Sequence, residues 1–147
     1  MQARRRAIAA ILKKKPSSKP GSSFSYSNVG FTIAAAMAEE KTGTPWEDLV
    51  RQNVFAPLQI TNAGFGPPRD GKQKLDQPRG HQKIGAIKRA AGVDEDNTPI
   101  MGPAGSVHMT LAELCAYGNE HLQGEQGKGK LLSAMTYQRL HTAKLKS

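Results

Sequence analysis

The middle of the chain, residues 61–105, constrains the fold most, because it shows no hydrophobic periodicity and is rich in Gly, Pro and charged residues. The segments on both sides of it have the spacing of apolar residues that is typical of helices. Such a long irregular stretch is unusual within a compact domain unless neighbouring elements support it or it carries function. We expect short extended pieces around residues 80–87. The chain is therefore predicted to be mainly α-helical with short extended segments.

Capping residues locate the helices that precede this stretch. A broad apolar helix is predicted over Asn28–Thr42, and Gly43 follows it at the place where a left-handed C-cap is expected. Thr44 is then the expected N-cap of a second helix, with a proline at its first position and Glu47 completing a capping box. A short amphipathic helix is expected near the start of the chain.

A second helical region follows the irregular stretch. Thr110 and Glu113 predict a capping box, and Ser133 can cap a last short helix. The helix after Thr110 carries an apolar stripe of Leu111, Leu114, Cys115 and Leu122. Because Cys115 is the only cysteine, it has no intramolecular disulfide partner, and its place on the stripe predicts a buried, inert thiol.

The length of 147 residues corresponds to one domain, and the low aromatic content of 5% suggests a thin core or one that lacks its other half. We expect a single partial domain over residues 1–147 with four parts. These are a basic helix with a Pro/Ser/Gly-rich connection (1–23), a Tyr-x-Asn turn with two helices (24–60), the irregular segment (61–105) and the C-terminal helices (106–147).

The chain is basic, with 21 Lys and Arg against 12 Asp and Glu and a formal net charge of +9. Such a charge could hold a polyphosphate through counterion release. The basic stretches, however, lack interleaved aromatic residues, and we find neither a Gly-rich phosphate loop nor a known nucleic-acid motif. We interpret the charges as solvated faces and do not expect nucleic acid as the partner.

Nothing at the start of the chain predicts a secretory signal. Arg4, Arg5 and Arg6 are followed by only six apolar residues, short of the ~7–15 that a signal needs. No run approaches the ~18 apolar residues of a membrane span. The pattern of residues predicts no metal ion and no other cofactor, and it leaves the cellular location open between periplasm and cytoplasm.

Several short motifs occur in a characteristic order. The first reads Pro20-Gly21-Ser22-Ser23-Phe24-Ser25-Tyr26-Ser27-Asn28-Val29-Gly30-Phe31, and it leads directly into the first long helix. It is followed by Val54-Phe55-Ala56-Pro57-Leu58, Arg79-Gly80-His81 and Gly102-Pro103-Ala104-Gly105-Ser106. The set resembles the serine β-lactamase and penicillin-binding-protein-like hydrolases, in particular their class C β-lactamase and esterase branch. The resemblance implies the helical domain of their α+β fold.

The resemblance also implies a chemistry, which is acyl transfer from a serine to a small-molecule amide, ester or β-lactam substrate. By resemblance, Tyr26 would relay the proton of that serine to the leaving group. A free tyrosine has a pKa of ~10, so this role needs nearby cations. Asn28 would orient the catalytic lysine and hydrogen-bond a substrate carbonyl. Taken alone, Tyr26 would be better explained by a capping or half-buried ring. Ser27 is expected to be a turn or cap residue rather than a nucleophile, because no base is spaced to serve it. His81 and His108 are expected to make structural hydrogen bonds.

The nucleophile of the family is missing from the sequence, because no serine is followed three positions later by lysine. The family's Lys-Thr-Gly is matched in letters by Lys41-Thr42-Gly43. These residues end a helix, however, where the C-cap explains Gly43 and the helix dipole explains Lys41. We therefore predict a fragment of a serine hydrolase of β-lactamase, D-peptidase or esterase type, inactive alone.

An alternative function and a mode of assembly follow from the same features. The chain could instead be a non-enzymatic basic module that binds an acidic partner or nucleic acid. In the α+β fold of the family, such helices pack on a β-sheet that a fragment of this kind lacks. They must therefore expose apolar sides, such as the one between Val29 and Met37. Since large exposed apolar patches mark association sites, we expect a homo-oligomer or a complementing chain to cover them.

Overall fold

The computed structural model describes residues 2–68, 77–92 and 94–143, and within these ranges it is mainly helical with short strands, as predicted. The helices are Gln2–Ile11 (α1), Asn28–Thr42 (α2), Trp46–Val50 (α3), Gly102–Gly105 (α4), Leu111–Glu125 (α5) and Ala134–His141 (α6). The strands are Gly64–Phe65 (β1), His81–Ile84 (β2), Ile87–Ala90 (β3) and Val107–His108 (β4). A π-helical turn, Arg51–Phe55, continues α3, and a 3₁₀ turn, Pro99–Met101, precedes α4.

The strands form two separate antiparallel pairs. Strand β1 pairs with β4, with Gly64 opposite His108. Strands β2 and β3 form a hairpin that turns at Gly85, whose φ of 61° is readily adopted by glycine. The extended pieces expected around residues 80–87 are therefore confirmed. Residues 69–76 and 93 of the predicted irregular stretch lie outside the described residues.

The predicted caps of the long helices are confirmed. The side chain of Ser27 accepts a hydrogen bond from the N–H of Gly30 at the start of α2. At the other end, Gly43 has a φ of 71° and donates its N–H to the carbonyl of Glu39. Thr110 and Glu113 form a complete capping box on α5, and the side chain of Ser133 caps α6.

The predicted cap of α3 is wrong. Pro45, not Thr44, occupies the N-cap position of this helix, and no side chain caps it. The carboxylate of Glu47, which the capping box required, instead accepts a hydrogen bond from the guanidinium of Arg4 at 2.6 Å. An ion pair between distant parts of the chain has therefore replaced the local cap.

The core between α1, α2 and α3 is organised around this arginine. Arg4 is 4% exposed, and its guanidinium forms an ion pair with Glu39, which is fully buried. It also donates to the backbone carbonyl of Ile100 at 3.2 Å. The Glu39 carboxylate in turn accepts the N–H of Trp46 at 2.9 Å. One buried cation therefore connects α1, α2, α3 and the 3₁₀ turn. The buried apolar residues in the described part of the chain are Ile8, Ala35, Phe55 and Ile60, together with Tyr137, which lies between α5 and α6.

The predicted apolar stripe of α5 points into solvent. Leu111, Leu114 and Leu122 are all exposed, and so is Cys115, which corrects the prediction of a buried thiol. The reason is that α5 packs on α6 through its opposite face, where Glu120 and Gly124 are buried. No helix within the described residues is long and apolar enough to cross a membrane.

Candidate functional site

The Tyr-x-Asn turn lies at the N-terminus of α2. Ser27 has an extended backbone, with φ −152° and ψ 108°, and its hydroxyl accepts the N–H of Gly30 at 3.1 Å. This cap begins the helix at Asn28, whose backbone carbonyl accepts the hydroxyl of Thr32 at 3.1 Å. The predicted role of Ser27 as a cap residue is thus confirmed. Tyr26 and Asn28 are its immediate neighbours on either side.

Tyr26 stands in an open groove of about 470 Å³. The groove is lined by Phe24, Ser25, Tyr26, Ser27, Gly30, Phe31 and Ala34. The side chain of Tyr26 is 75% exposed, whereas Asn28 is half-buried. Neither the phenol of Tyr26 nor the carboxamide of Asn28 forms a hydrogen bond within the described part of the chain. Within this part of the chain, the hydrogen-bonding capacity of both groups is therefore unused.

The face of α2 opposite the groove holds the helix in place. Thr32, Ala35 and Glu39 are buried along it, at intervals of three and four residues. The ion pair of Glu39 with Arg4 fixes the second half of the helix, and the cap of Ser27 fixes its first turn. The turn that carries Tyr26 is thus attached to a helix, α2, that is held in place in both of its halves.

The Lys-Thr-Gly sequence lies at the other end of the same helix. Lys41 is in the last turn of α2, and Gly43 is its C-cap. At 1.5 Å per residue, the backbones of Asn28 and Lys41 are about 20 Å apart. The structure therefore does not bring Lys41 to the turn that carries Tyr26.

A second cavity, of about 770 Å³, opens between α3, β4 and α5. Its walls are mostly apolar and include Trp46, Val54, Phe55, Met109, Leu114 and Tyr117, together with His108. Nδ1 of His108 lies 2.8 Å from the carbonyl oxygen of Gly66, a hydrogen bond that supports the β1–β4 pair. The structural role expected of His108 is thus confirmed. His81 lies exposed on β2 and forms no hydrogen bond through its side chain within the described residues, so the same expectation for His81 is not confirmed.

Glu113 joins α5 to the segment that precedes β1. Its carboxylate accepts the backbone N–H groups of Thr61 and Asn62 at 2.7 and 2.6 Å, in addition to completing the capping box. The bond from Asn62, followed by those from Thr110 and Thr61, lowers the pKa of Glu113 to about 2. This carboxylate is therefore ionised at neutral pH and serves as an anchor.

A polar cluster lies between α5 and α6. The hydroxyl of Tyr137 donates to the buried carboxylate of Glu120 at 2.6 Å, and the N–H groups of Lys130 and Leu131 donate to the same oxygen. Burial opposes ionisation of Glu120, but these bonds outweigh it and lower its pKa. Burial and then the bond to Glu120 raise the pKa of Tyr137 to about 12.

The same helix pair brings His121, Glu125 and His141 together, a cluster that the sequence analysis missed. His121 Nδ1 lies 2.9 Å from His141 Nε2, and His141 Nδ1 forms a hydrogen bond with Glu125. The spacing of His121 and Glu125, four residues apart on one helix, is the signal that could have indicated part of it. The third member depends on the packing of α6 and has no signal in the sequence.

Known proteins match this chain over most of its length. The family model described as Beta-lactamase matches residues 1–147. Penicillin-binding protein 4 of Amycolatopsis lactamdurans is 24% identical over 110 residues, which cover 70% of this chain and 27% of that protein.

Solved structures share the fold. A D-stereospecific amidohydrolase from Streptomyces sp. superposes with a TM-score of 0.73 and 24% identity, covering 95% of this chain and 39% of that one. The octameric penicillin-binding protein homologue from Pyrococcus abyssi gives a TM-score of 0.75 at 18% identity, covering 96% and 30%. The chain thus spans about a quarter to two fifths of the length of these proteins.

Proposed function

The chain belongs to the β-lactamase family of serine hydrolases, and from that premise we propose that it contributes the Tyr-x-Asn turn and part of the helical domain to such an enzyme. Tyr26 is its proposed catalytic residue and Asn28 its proposed substrate-binding residue. The observation that carries this proposal is the open groove at the capped N-terminus of α2, where neither side chain forms a hydrogen bond with any residue that the structure describes.

The chemistry of the two side chains suits acyl transfer. A serine hydroxyl is a weak nucleophile until a base removes its proton, and that base must lie within hydrogen-bond reach. Once nearby cations from the other segments have favoured its ionised form, the phenolate of Tyr26 can accept this proton, and the resulting phenol can donate it to the leaving group. The carboxamide of Asn28 can donate to a substrate carbonyl while its oxygen accepts from the catalytic lysine.

Other segments must supply the rest of this active site. The sequence has no Ser-x-x-Lys, and the chain covers only 27–39% of the relatives named above. We propose that the chain alone is inactive. A complete site would need the serine and its lysine, together with the Lys/His-Thr-Gly strand of the family.

Exposed apolar faces offer the surfaces on which such segments can dock. On α2, Phe31, which lines the Tyr26 groove, is 59% exposed, and Met37, further along the helix, is 68% exposed. The leucine stripe of α5 is a second such surface. A homo-oligomer is the other arrangement that would cover them, and the homologue from Pyrococcus abyssi is octameric.

The proposed substrates are small molecules with an acyl group to transfer, which are amides, esters or β-lactams. The similarity to a D-stereospecific amidohydrolase adds D-amino-acid amides to the substrates worth testing. The alternative of a basic binding module is weakened by the contacts of the first arginines. Arg4 is buried in an ion cluster and Arg5 pairs with Glu40, so neither presents a free charge.

Complementation tests the proposal. The chain would be co-expressed with the two portions of the Streptomyces amidohydrolase that flank the matched region. Turnover of a p-nitrophenyl ester, a chromogenic cephalosporin and a D-amino-acid p-nitroanilide would then be measured. We expect no turnover by the chain alone and measurable turnover by the complex. Since general acid–base catalysis contributes ~10²–10⁴-fold in rate, Tyr26→Phe should remove most of the recovered activity.

Two variants serve as controls. Lys41→Ala should leave the recovered activity almost intact, because Lys41 lies at the far end of α2. Tyr117→Phe changes a phenol outside the groove and should also leave it intact. If the Tyr26→Phe complex is as active as the unsubstituted complex, the catalytic assignment of Tyr26 is refuted. Loss of activity in Lys41→Ala would show that Lys41-Thr42-Gly43 is a catalytic motif and not only a helix end.

A further inference from the structure

Two histidines meet between α5 and α6, remote in sequence from the Tyr26 turn. Nδ1 of His121 and Nε2 of His141 are 2.9 Å apart, and the two ring centroids are 5.1 Å apart. The rings of Tyr117 and Tyr137 pack edge-on against His121, at centroid distances of 4.7 and 5.3 Å. The imidazole of His121 is therefore held on two sides, while its Nδ1 faces the second histidine.

Glu125 fixes the orientation of that second histidine. Its carboxylate accepts a hydrogen bond from Nδ1 of His141, so the lone pair of a neutral imidazole lies on Nε2, the nitrogen that faces His121. A carboxylate on the far nitrogen is the usual partner of a metal-ligating histidine, because it fixes the tautomer and increases the basicity of the ligand. This arrangement has no part in the proposed acyl transfer.

We propose that His121 and His141 form a two-histidine site for a divalent transition-metal ion, with Glu125 as a positioning residue. Within the described residues no group of three or more His, Cys, Asp or Glu is placed to hold a metal. Water must therefore complete the coordination. The bound ion would connect α5 to α6 and stabilise the C-terminal helix pair.

The spacing of the rings suits such an ion. With Zn–N bonds of about 2.0–2.1 Å and a tetrahedral angle, the two nitrogens lie about 3.3–3.4 Å apart and the imidazole centroids about 5.2 Å apart. The centroids already lie 5.1 Å apart. Rotation of the two rings can therefore open the gap between the nitrogens without moving the helices.

Binding of the ion requires only a rearrangement of protons. In the hydrogen bond, one of the two facing nitrogens carries a proton, which Glu125 assigns to Nδ1 of His121. This proton must move to Nε2 of the same ring through water, which leaves both facing nitrogens with lone pairs. No electron is transferred, and both imidazoles remain neutral.

The donor set determines which ions can bind. Imidazole nitrogens suit Zn²⁺, Cu²⁺ and Ni²⁺, whereas Mg²⁺ and Ca²⁺ prefer oxygen ligands. The side chain of His141 is 38% exposed, so ions can enter from solvent.

Calorimetric titration of the full chain with Zn²⁺ tests the site, with Mg²⁺ as the comparison ion. We expect saturable binding of one Zn²⁺ and no binding of Mg²⁺. His121→Ala and His141→Ala should each weaken Zn²⁺ binding at least tenfold. Glu125→Gln should weaken it about 10-fold, because partners of ligating histidines typically contribute 10–100-fold in affinity. His81→Ala removes an exposed histidine on β2 and should bind as the unsubstituted chain does.

A measurement without substitutions guards against variants that fail to fold. In nitrogen-15 NMR spectra of the unsubstituted chain, Zn²⁺ should shift the imidazole resonances of His121 and His141 and leave those of His81 and His108 in place. Unchanged resonances of His121 and His141 would overturn the proposal. So would Zn²⁺ binding that survives both alanine substitutions, or binding that is lost equally in His81→Ala.

Discussion

Replacement of Arg4 by methionine should destabilise the chain strongly. Arg4 and Glu39 are 4% and 0% exposed, and the Oε2 atom of Glu39 accepts no hydrogen bond within the described residues. Without Arg4, the carboxylate of Glu39 stays buried and negatively charged, and the N–H of Trp46 is the one hydrogen-bond donor left to it among the described residues. Removing one partner of a buried ion pair typically costs about 3–5 kcal/mol.

This cost can be measured by urea unfolding followed by circular dichroism. A domain of this size is stable by about 5–15 kcal/mol, so the variant should lose a large fraction of its free energy of unfolding. With a slope of about 1–3 kcal/mol per molar urea, the midpoint should fall by roughly 2 M. The double variant Arg4→Met with Glu39→Leu should cost less than the sum of the two single substitutions, because it removes both buried charges and leaves only the partly exposed carboxylate of Glu47 without its cation.

The adjacent arginine provides the matched control. Arg5 pairs with Glu40 at 2.6 Å, but the two side chains are 45% and 70% exposed. Exposed ion pairs contribute at most about 1 kcal/mol, so Arg5→Met should shift the midpoint only slightly. If Arg4→Met and Arg5→Met have equal effects, or if the costs at Arg4 and Glu39 simply add, the buried ion cluster does not organise the core.

Three further outcomes are expected. Gly43→Ala should lower the free energy of unfolding by about 1 kcal/mol, because alanine is strained at a φ of 71°, whereas Gly118→Ala, in open space within α5, should raise it by up to about 1 kcal/mol in the same urea assay. The pKa of Glu113 falls from 4.5 to about 2 on folding, so its contribution to the free energy of unfolding is present above pH 4.5 and is lost as the pH falls towards 2. In Glu113→Gln, the free energy of unfolding should lack this loss between pH 4.5 and pH 2. The pKa of Tyr137 rises from 10.0 to about 12, so its contribution is present below pH 10 and is lost as the pH rises through 12. Tyr137→Phe should abolish this loss of stability at alkaline pH and lower the free energy of unfolding by about 1–3 kcal/mol at neutral pH, because Glu120 loses a buried hydrogen-bond donor. If the free energy of unfolding of Tyr137→Phe falls between pH 10 and pH 12 as in the unsubstituted chain, Tyr137 is not its cause.

The local features of the fold could be predicted from the sequence, because their causes lie within a few residues. Ser27, Gly43 and the Thr110 capping box act on their own helix ends, and all three are where the sequence predicts them. The cap at Thr44 failed because Glu47 is engaged by Arg4, 43 residues away. The periodicity of an apolar stripe likewise predicts a helix but not which partner covers it, so the exposure of Cys115 could not be predicted.

The candidate site also has one part that the sequence predicts and another that depends on packing. The Tyr26 turn is a continuous motif and could be found by reading along the chain. The groove around it depends on the side chains of Phe31 and Ala34 one turn further on, and its openness depends on what packs against α2. The contact between His121 and His141 depends on how α6 packs on α5, which no local pattern records.

The two faces of α2 relate the docking of a partner to the groove that holds Tyr26. Its inner face is fixed by the buried Glu39, whereas its outer face exposes Phe31 and Met37 to water. Burying a large apolar side chain is favourable by about 1.5–3 kcal/mol, so a partner that covers this outer face gains a substantial driving force. Phe31 also lines the groove of Tyr26, so the same partner closes the site from which the phenol would act. Docking and completion of the proposed active site would then be one event, and we expect the activity of the assembly to rise in direct proportion to the amount of complex formed.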